Sequence, residues 1–233
     1  EYKAAKYTAV PEDFIPFYMS HYGRHGSRWM TSDARYEWII SQFADKENLT
    51  KLGKKAEKMM RIVWKQARGN GGKLSPIGVH QHEKIAKNMV LRFPELFSPG
   101  GSIEAFSSVS DRCVKSMQAF CNVLENKDVR KGKMEQYSDS TDMAWIAYKS
   151  SELDAWQKMV NPQRHLGNER FISALFKDPT KVENAEKLMT ELHAVASDMQ
   201  DVGLKLNFYQ FFTEAELRDI YEQNNERMWL CNG

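Results

Sequence analysis

The chain has 233 residues, 42% of them hydrophobic and 27% charged, which is long enough to bury a substantial core in one or two domains. Its formal net charge is only +2, so composition gives no ground for a nucleic-acid surface, and the useful positive charge has to be local. No apolar run nears the roughly 20 residues of a membrane span.

The chain opens Glu1-Tyr2-Lys3 without initiator methionine or signal sequence, as expected of a processed or trimmed product. Phe14-Ile15-Pro16-Phe17-Tyr18-Met19-Ser20-His21-Tyr22 is short, apolar and aromatic, which predicts a buried strand ended by Gly23. Arg24-His25-Gly26-Ser27-Arg28 comes next, and Thr31-Ser32-Asp33 supplies capping residues for a helix over 32–43. His25 is thereby placed at a strand exit, where open α/β sheets bind ligands. Its neighbours suit chemistry on a phosphate. Arginine carries a permanent charge and a planar fork of donors that matches phosphate oxygens. A neutral imidazole is nucleophilic near neutral pH, and Gly26 removes a side chain where backbone must approach a ligand. His21 and His25 have the i,i+4 spacing of a helical zinc pair, but Gly23, Gly26 and the strand-like lead-in argue against a helix there.

Helices are predicted over 53–68 and 76–92, the second with Ser75 as cap and Pro76 as first residue. Gly69-Asn70-Gly71-Gly72-Lys73 joins them flexibly. His80 and His82 are two apart and face different sides, so they form no metal pair. His80 is a candidate substrate contact, weighed against a packing or surface role.

Ile103-Glu104-Ala105-Phe106-Ser107-Ser108 alternates as a strand, and Ser110-Asp111 caps a helix over 111–125 whose first turn carries Arg112. Cys113, Met117, Phe120, Cys121 and Leu124 form its sheet-facing stripe. Free N–H groups and the dipole at that helix start favour an anion, so an arginine there opposes the dipole unless an anion compensates it. Three arginines and one histidine converging from two strand exits predict a phosphate site. Cys113 and Cys121 lie about 12 Å apart along one helix axis, too far for a disulfide. They read as core thiols, leaving Cys231 to pair with one of them or with a cysteine beyond residue 233.

Met134-Glu135-Gln136-Tyr137-Ser138 is a predicted third strand. Beyond 138 the pattern becomes helix upon helix, over 151–160, 168–177, 180–199 and 213–227, without repeats or low-complexity tracts. Lys149, Lys158, Arg164 and Arg170 in this half are candidates to meet extra phosphates of a substrate, against the plainer reading of a solvated face.

Arg24-His25-Gly26-x-Arg28, followed further along by Ser110-Asp111-Arg112-Cys113, resembles the histidine phosphatase superfamily, in its histidine acid phosphatase and phytase branch. Leu74-Ser75-Pro76-Ile77-Gly78-Val79-His80-Gln81 is similar to that branch's Leu-Thr-x-x-Gly-x-x-Gln segment, and Arg92-Phe93-Pro94-Glu95-Leu96-Phe97 to its Leu-Arg and Phe-Pro elements. Within the branch, His21-Tyr22-Gly23-Arg24-His25-Gly26-Ser27-Arg28 with Arg112-Cys113-x-x-Ser116-Met117-x-Ala119-Phe120 is most similar to multiple inositol-polyphosphate phosphatases, over residues 11 to 125. Met30 departs from the proline common at that position.

The resemblance implies an α/β fold: a phosphoglycerate-mutase-like three-layer core with a mostly parallel sheet, plus a helical cap domain. Residues 1–138 would form the N-terminal part of the core and 139–233 the cap, with the C-terminal part of the core missing. It implies His25 as nucleophile, forming a phosphohistidine that water hydrolyses, and Arg24, Arg28 and Arg112 as the groups that hold the phosphate oxygens. Phosphoryl transfer of this kind rests on positioning and charge neutralisation, so it requires no metal or cofactor in principle. The implied partner is a small phosphomonoester, an inositol polyphosphate such as phytate, and the implied location periplasmic or secreted. Members also carry a second histidine and a proton-donating acid in a late His-Asp or His-Ala-Glu motif. Here the nearest string is His193-Ala194-Val195, with valine in place of the acid. It sits in a helix whose apolar stripe is Val182, Ala185, Leu188, Met189, Leu192, Val195, Ala196 and Met199, and His193, one position off the stripe, reads as a partly solvated helix residue. The expectation is an N-terminal portion of a longer protein, with the proton donor outside this chain. A non-catalytic phosphate-binding or interaction protein with the same pocket, and a phosphomutase, stay open as alternatives.

Overall fold

Helical spacing of apolar residues organises most of the chain. The computed structural model describes residues 11, 13–97, 101–125, 133–142, 151, 152, 155 and 166–232. In α1 (Asp33–Gln42), Tyr36 and Ile39 are buried, and Phe43 follows on the same face. In α2 (Lys51–Ala67), Ala56, Met59, Met60, Val63 and Ala67 form one buried stripe, started by the Thr50 hydroxyl accepting from Gly53 N–H at 3.0 Å. Next come α3 (Pro76–Arg92), β1 (Ser102–Phe106), α4 (Asp111–Leu124) and β2 (Lys133–Tyr137). The later part contains α5 (Glu169–Leu175), α6 (Ala185–Val195), a single turn α7 (Asp198–Asp201) and α8 (Glu214–Asn232).

The result is a mixed α/β fold, mostly helical, with a small parallel sheet. β1 and β2 pair in parallel from Ser102↔Lys133 to Phe106↔Tyr137, joined through α4 as a βαβ unit. α3 packs on α4, and Ala86, Phe97 and Leu124 centre the apolar cluster between these helices and the sheet. A larger cluster combines α1 and α2 with residues 166–220, among them Tyr36, Phe43, Met60, Phe171, Phe176, Leu188, Leu192 and Phe208. Each such side chain withdrawn from water contributes about 1.5–3 kcal/mol. Apolar packing therefore does not follow chain order: α1 and α2, ahead of residue 138, share their core with segments well beyond it.

The expected strand over 14–22 is not present. The segment is extended, but it pairs with neither β1 nor β2, and Phe14, Ile15, Phe17, Tyr18 and Tyr22 are exposed. Apolar content marks a segment that suits a sheet, whereas a strand also needs backbone partners, and among the described residues this one has none. Met19 packs on the α3–α4 cluster and the His21 ring stacks on Phe120 at 5.5 Å, so the lead-in is held by side chains. The predicted helix over 180–199 is broken into a 3-10 turn at Pro179–Lys181, then α6 and α7, with the Asn184 side chain capping α6 through Lys187 N–H at 2.9 Å. The strands and the helices at 33–42, 51–67, 76–92 and 111–124 match the sequence reading, and α3 starts at Pro76 with Ser75 as its cap. Ser32 and Ser110 occupy cap positions without a side-chain cap bond. Most of the helix expected over 151–160 lies outside the described residues.

Candidate active site

Residues 23–31 cross from one apolar cluster to the other. Trp29 and Met30 are buried in the larger cluster, while Gly26 lies against α3 and α4. Ser27 is fixed from both sides of its peptide units. Its N–H donates to Gln81 Oε1 at 2.8 Å, and its carbonyl accepts from Ser75 N–H at 2.9 Å and from Ser75 Oγ at 3.1 Å. Gly26 N–H donates to Ser116 Oγ at 3.1 Å, and that hydroxyl donates to the Arg112 carbonyl at 2.7 Å, which couples the loop to the start of α4. An isolated antiparallel bridge pairs Arg28 with Leu74, and Trp29 N–H donates to Lys73 carbonyl at 3.1 Å. The glycine-rich 69–73 connection is thus a clamp on the loop as well as a turn.

Gly26 is glycine for a different reason from the one read in the sequence. A Cβ there would stand 2.4 Å from the Gly78 carbonyl oxygen and 2.7 Å from its Cα. The missing side chain makes room for α3 backbone, not for a ligand.

The His25 ring places Nδ1 2.8 Å from the Gly26 carbonyl oxygen. A carbonyl only accepts, so Nδ1 carries the proton and Nε2 keeps its lone pair. Burial lowers the basicity of the half-buried imidazole; the Gly26 hydrogen bond works the other way, and the charges of Arg112, Arg24 and Arg28 lower it further. His25 therefore favours the neutral, nucleophilic form. Arg28 is itself pushed down by burial and by the charges of Arg112, Arg24 and Arg35, so these guanidinium groups share one field. Arg35, by contrast, pairs with Glu191 at 2.7 Å. Among the described residues no carboxylate forms an ion pair with Arg24, Arg28 or Arg112, and Arg112 Nε is buried without a hydrogen-bond partner. Clustered like charge of this kind awaits an anion. A cleft of about 320 Å³ opens beside it, with Arg24, His25 and Gly26 on one wall and Gln81, His82, Lys84, Ile85 and Asn88 of α3 on the other. Arg28 and Arg112 do not line that cleft; their link to His25 is electrostatic.

His80 is not part of this arrangement. Its side chain is exposed and meets Glu83 at 3.1 Å, because position 80 lies two residues from Gly78, off the face that α3 turns to the loop. His82, four residues from Gly78, is on that face: it is 8% exposed, lines the cleft and hydrogen-bonds the backbone of Arg24. Burial, together with His21 and His25, lowers its basicity. Gln81, Ser116 and His82 hold or flank the loop; sequence reasoning gave none of them a site role, although their spacing from Gly78 and Arg112 carried the signal.

Arg170 is already engaged. It grips Glu216 through Nε at 2.7 Å and Nη2 at 2.5 Å, and donates to the Phe211 carbonyl at 2.8 Å. Arg170→Ala is expected to lower stability by about 1–3 kcal/mol, since it leaves the nearly buried Glu216 side chain with only Thr213 as partner among the described residues, and to leave phosphate affinity unchanged; urea denaturation and phosphate titration check the pair of outcomes. Lys149, Lys158 and Arg164 lie outside the described residues. His193 is half-buried on α6, edge-on to Tyr209 and Phe212. Cys113 and Cys121 are free thiols; burial raises the pKa of Cys121 to about 11, as suits an inert core thiol. Among the described residues no helix is long and apolar enough to cross a membrane.

The family model described as "Histidine phosphatase superfamily (branch 2)" matches residues 23–225, from the loop to α8. The chain belongs to the histidine phosphatase superfamily, branch 2. No curated protein matches it. Among solved structures, this branch 2 chain is similar to Bifidobacterium longum multiple inositol polyphosphate phosphatase in complex with phosphate, at 15% identity and TM-score 0.54, covering 93% of this chain and 63% of that one. The same enzyme with inositol hexasulfate gives 15% identity and TM-score 0.57, covering 97% and 66%. The phytase from D. castellii gives 15% identity and TM-score 0.56, covering 90% and 50%. These likenesses establish the histidine phosphatase fold, and the chain spans less than two thirds of the length of each of these relatives.

Proposed function

We propose that the protein is a phosphomonoester hydrolase that works through a phosphohistidine on His25, with inositol polyphosphates as its substrate class. The observation that carries the proposal is an imidazole that favours its neutral form, with a free Nε2 lone pair, inside a group of guanidinium charges that form no ion pair with a carboxylate among the described residues. Nε2 attacks phosphorus, the ester P–O bond breaks, and the departing alkoxide takes a proton. Water then attacks the phosphohistidine, the P–N bond breaks, and inorganic phosphate leaves. Arg24, Arg28 and Arg112 stabilise the charge on the transferring group in both steps. Membership of the superfamily supports the reaction class. The phosphate and inositol hexasulfate bound to the Bifidobacterium enzyme, and the phytase neighbour, support the substrate class. The helices packed around α1 and α2 are proposed to act as the cap that selects what the phosphate is attached to.

A second reading, phosphate binding without turnover, has one observation in its favour: among the described residues no aspartate or glutamate lines the cleft beside His25 to protonate a leaving alkoxide. Rapid mixing with radiolabelled phytate separates the two. The expected result is alkali-stable, acid-labile label on the wild-type chain and none on His25→Ala. Binding of phosphate with no label on the wild type would favour the second reading.

A further inference from the structure

On the side of the loop away from the cleft, a carboxylate is buried in the larger core. Asp198, the first residue of α7, is 0% exposed. Its Oδ2 accepts from the Tyr36 hydroxyl at 2.5 Å, and that hydroxyl oxygen accepts from Met30 N–H at 2.9 Å. The single proton of Tyr36 is therefore committed to Asp198, and the chain Met30–Tyr36–Asp198 ties the end of the anion loop to α7. The other turn-end of α7 holds α3: Asp201 Oδ1 accepts from Ile77 N–H at 2.8 Å. Asp198 Oδ1 is buried without a hydrogen-bond partner, so the carboxylate is only half satisfied.

The charges around it are mixed. Arg28 from the loop favours its ionised form, as do Tyr36 and Ser197, whereas Asp201 from its own helix disfavours it. Arg35 of α1 acts on Tyr36 and Arg28, and Tyr209 of the 208–211 turn feels Asp198. α2 contributes the Trp64 ring against Tyr36, and α3 the Ile77 N–H on Asp201. Burial dominates and raises the Asp198 pKa to about 7.

We propose that Asp198 is a positioning residue for the anion site: through Tyr36 it fixes the segment from Arg28 to Met30, and its ionisation draws on Arg28 and weakens the hold on a bound dianion. This rests on the reading of Arg24, Arg28 and Arg112 as that anion site. The neutral acid leaves Arg28 to the ligand, so binding strengthens as the pH falls through neutrality.

Sulfate is a suitable probe, because its charge does not change between about pH 6 and about pH 8. Calorimetric titration is made on the 233-residue chain in a His25→Ala background, which removes the His25 titration and leaves His82 common to both proteins, with and without Asp198→Asn. The expected affinity falls about three- to tenfold more from the lower to the higher pH in the parent than in the Asn variant, whose side chain still accepts from Tyr36. Equal slopes in the two proteins would overturn the role of Asp198 while leaving the anion site standing. Absence of sulfate binding in both would overturn the anion site and this role with it. Tyr36→Phe, which cuts the link to Met30, is expected to weaken sulfate at both pH values; unchanged affinity overturns the positioning. Thermal melts report on folding independently. Burial raises the Asp198 pKa in the folded state to about 7, well above that of an unperturbed aspartate. The stability from that proton is therefore present at acid pH and lost as pH rises through neutrality. The Asn variant is expected to lack this fall.

Discussion

Arg112→Ala is expected to lower kcat/KM for p-nitrophenyl phosphate by about a hundred- to a thousandfold, the usual scale for removing one preorganised donor from a developing anion. Stability should hardly change. Arg112 forms no ion pair among the described residues, and its charge opposes those of Arg24 and Arg28, so truncation orphans no carboxylate and relieves repulsion. The pH profile should move as well. The Arg112 charge depresses the basicity of His25; without it the imidazole holds its proton to higher pH, and the acid limb of kcat/KM shifts upward. Arg112→Lys restores charge but not the planar fork, and is expected to recover only part of the rate. Steady-state kinetics across pH, with a thermal melt of each variant, check these outcomes. A profile that moves the other way would mean that Arg112 does not face His25.

Gly26→Ala is expected to be strongly damaging. The new methyl would meet Gly78 backbone at 2.4 Å, and no flexible side chain is there to give way. The loop or α3 must move, and the bonds from Gly26 N–H to Ser116 and from Ser27 N–H to Gln81 depend on that fit. The expected loss is about 2–4 kcal/mol of stability together with at least a tenfold loss of sulfate affinity. Gly78→Ala should reproduce the effect, since its Cβ would lie 2.1 Å from the Ser27 carbonyl oxygen. Gly23→Ala serves as the control, because its Cβ would meet only the movable His21 ring. Urea denaturation and sulfate titration separate the three; a benign Gly26→Ala would refute the close crossing of loop and helix.

What was legible in the sequence was local. Helix starts were readable where a side chain and a proline announce them, as at Ser75-Pro76, and helix faces where apolar residues recur, as along α2 and α6. The grouping of Arg24, Arg28 and Arg112 about His25 was readable because arginines around a histidine are chemically conspicuous. What escaped depends on distant partners. The 14–22 segment has the composition of a buried strand, but composition does not say which backbone will pair with it. Arg170 resembled a free cation until Glu216 was found to hold it. His80 and His82 were separable in principle, since only the second lies one helical turn from Gly78. Asp198 left a trace of its own: it stands three residues after Val195, on a face otherwise filled by apolar side chains, and an acid in that setting needs neighbours that justify it.

The loop that carries His25 is anchored like an arch, one foot among the α3 and α4 backbones and the other at Trp29 and Met30 in the larger core. A gene cut after β2 would keep His25, Arg24, Arg28 and Arg112. It would also uncover the apolar faces of α1 and α2, whose packing partners lie between residues 166 and 220. The smallest fragment able to hold this loop in place is therefore dictated by helices far from it in the chain.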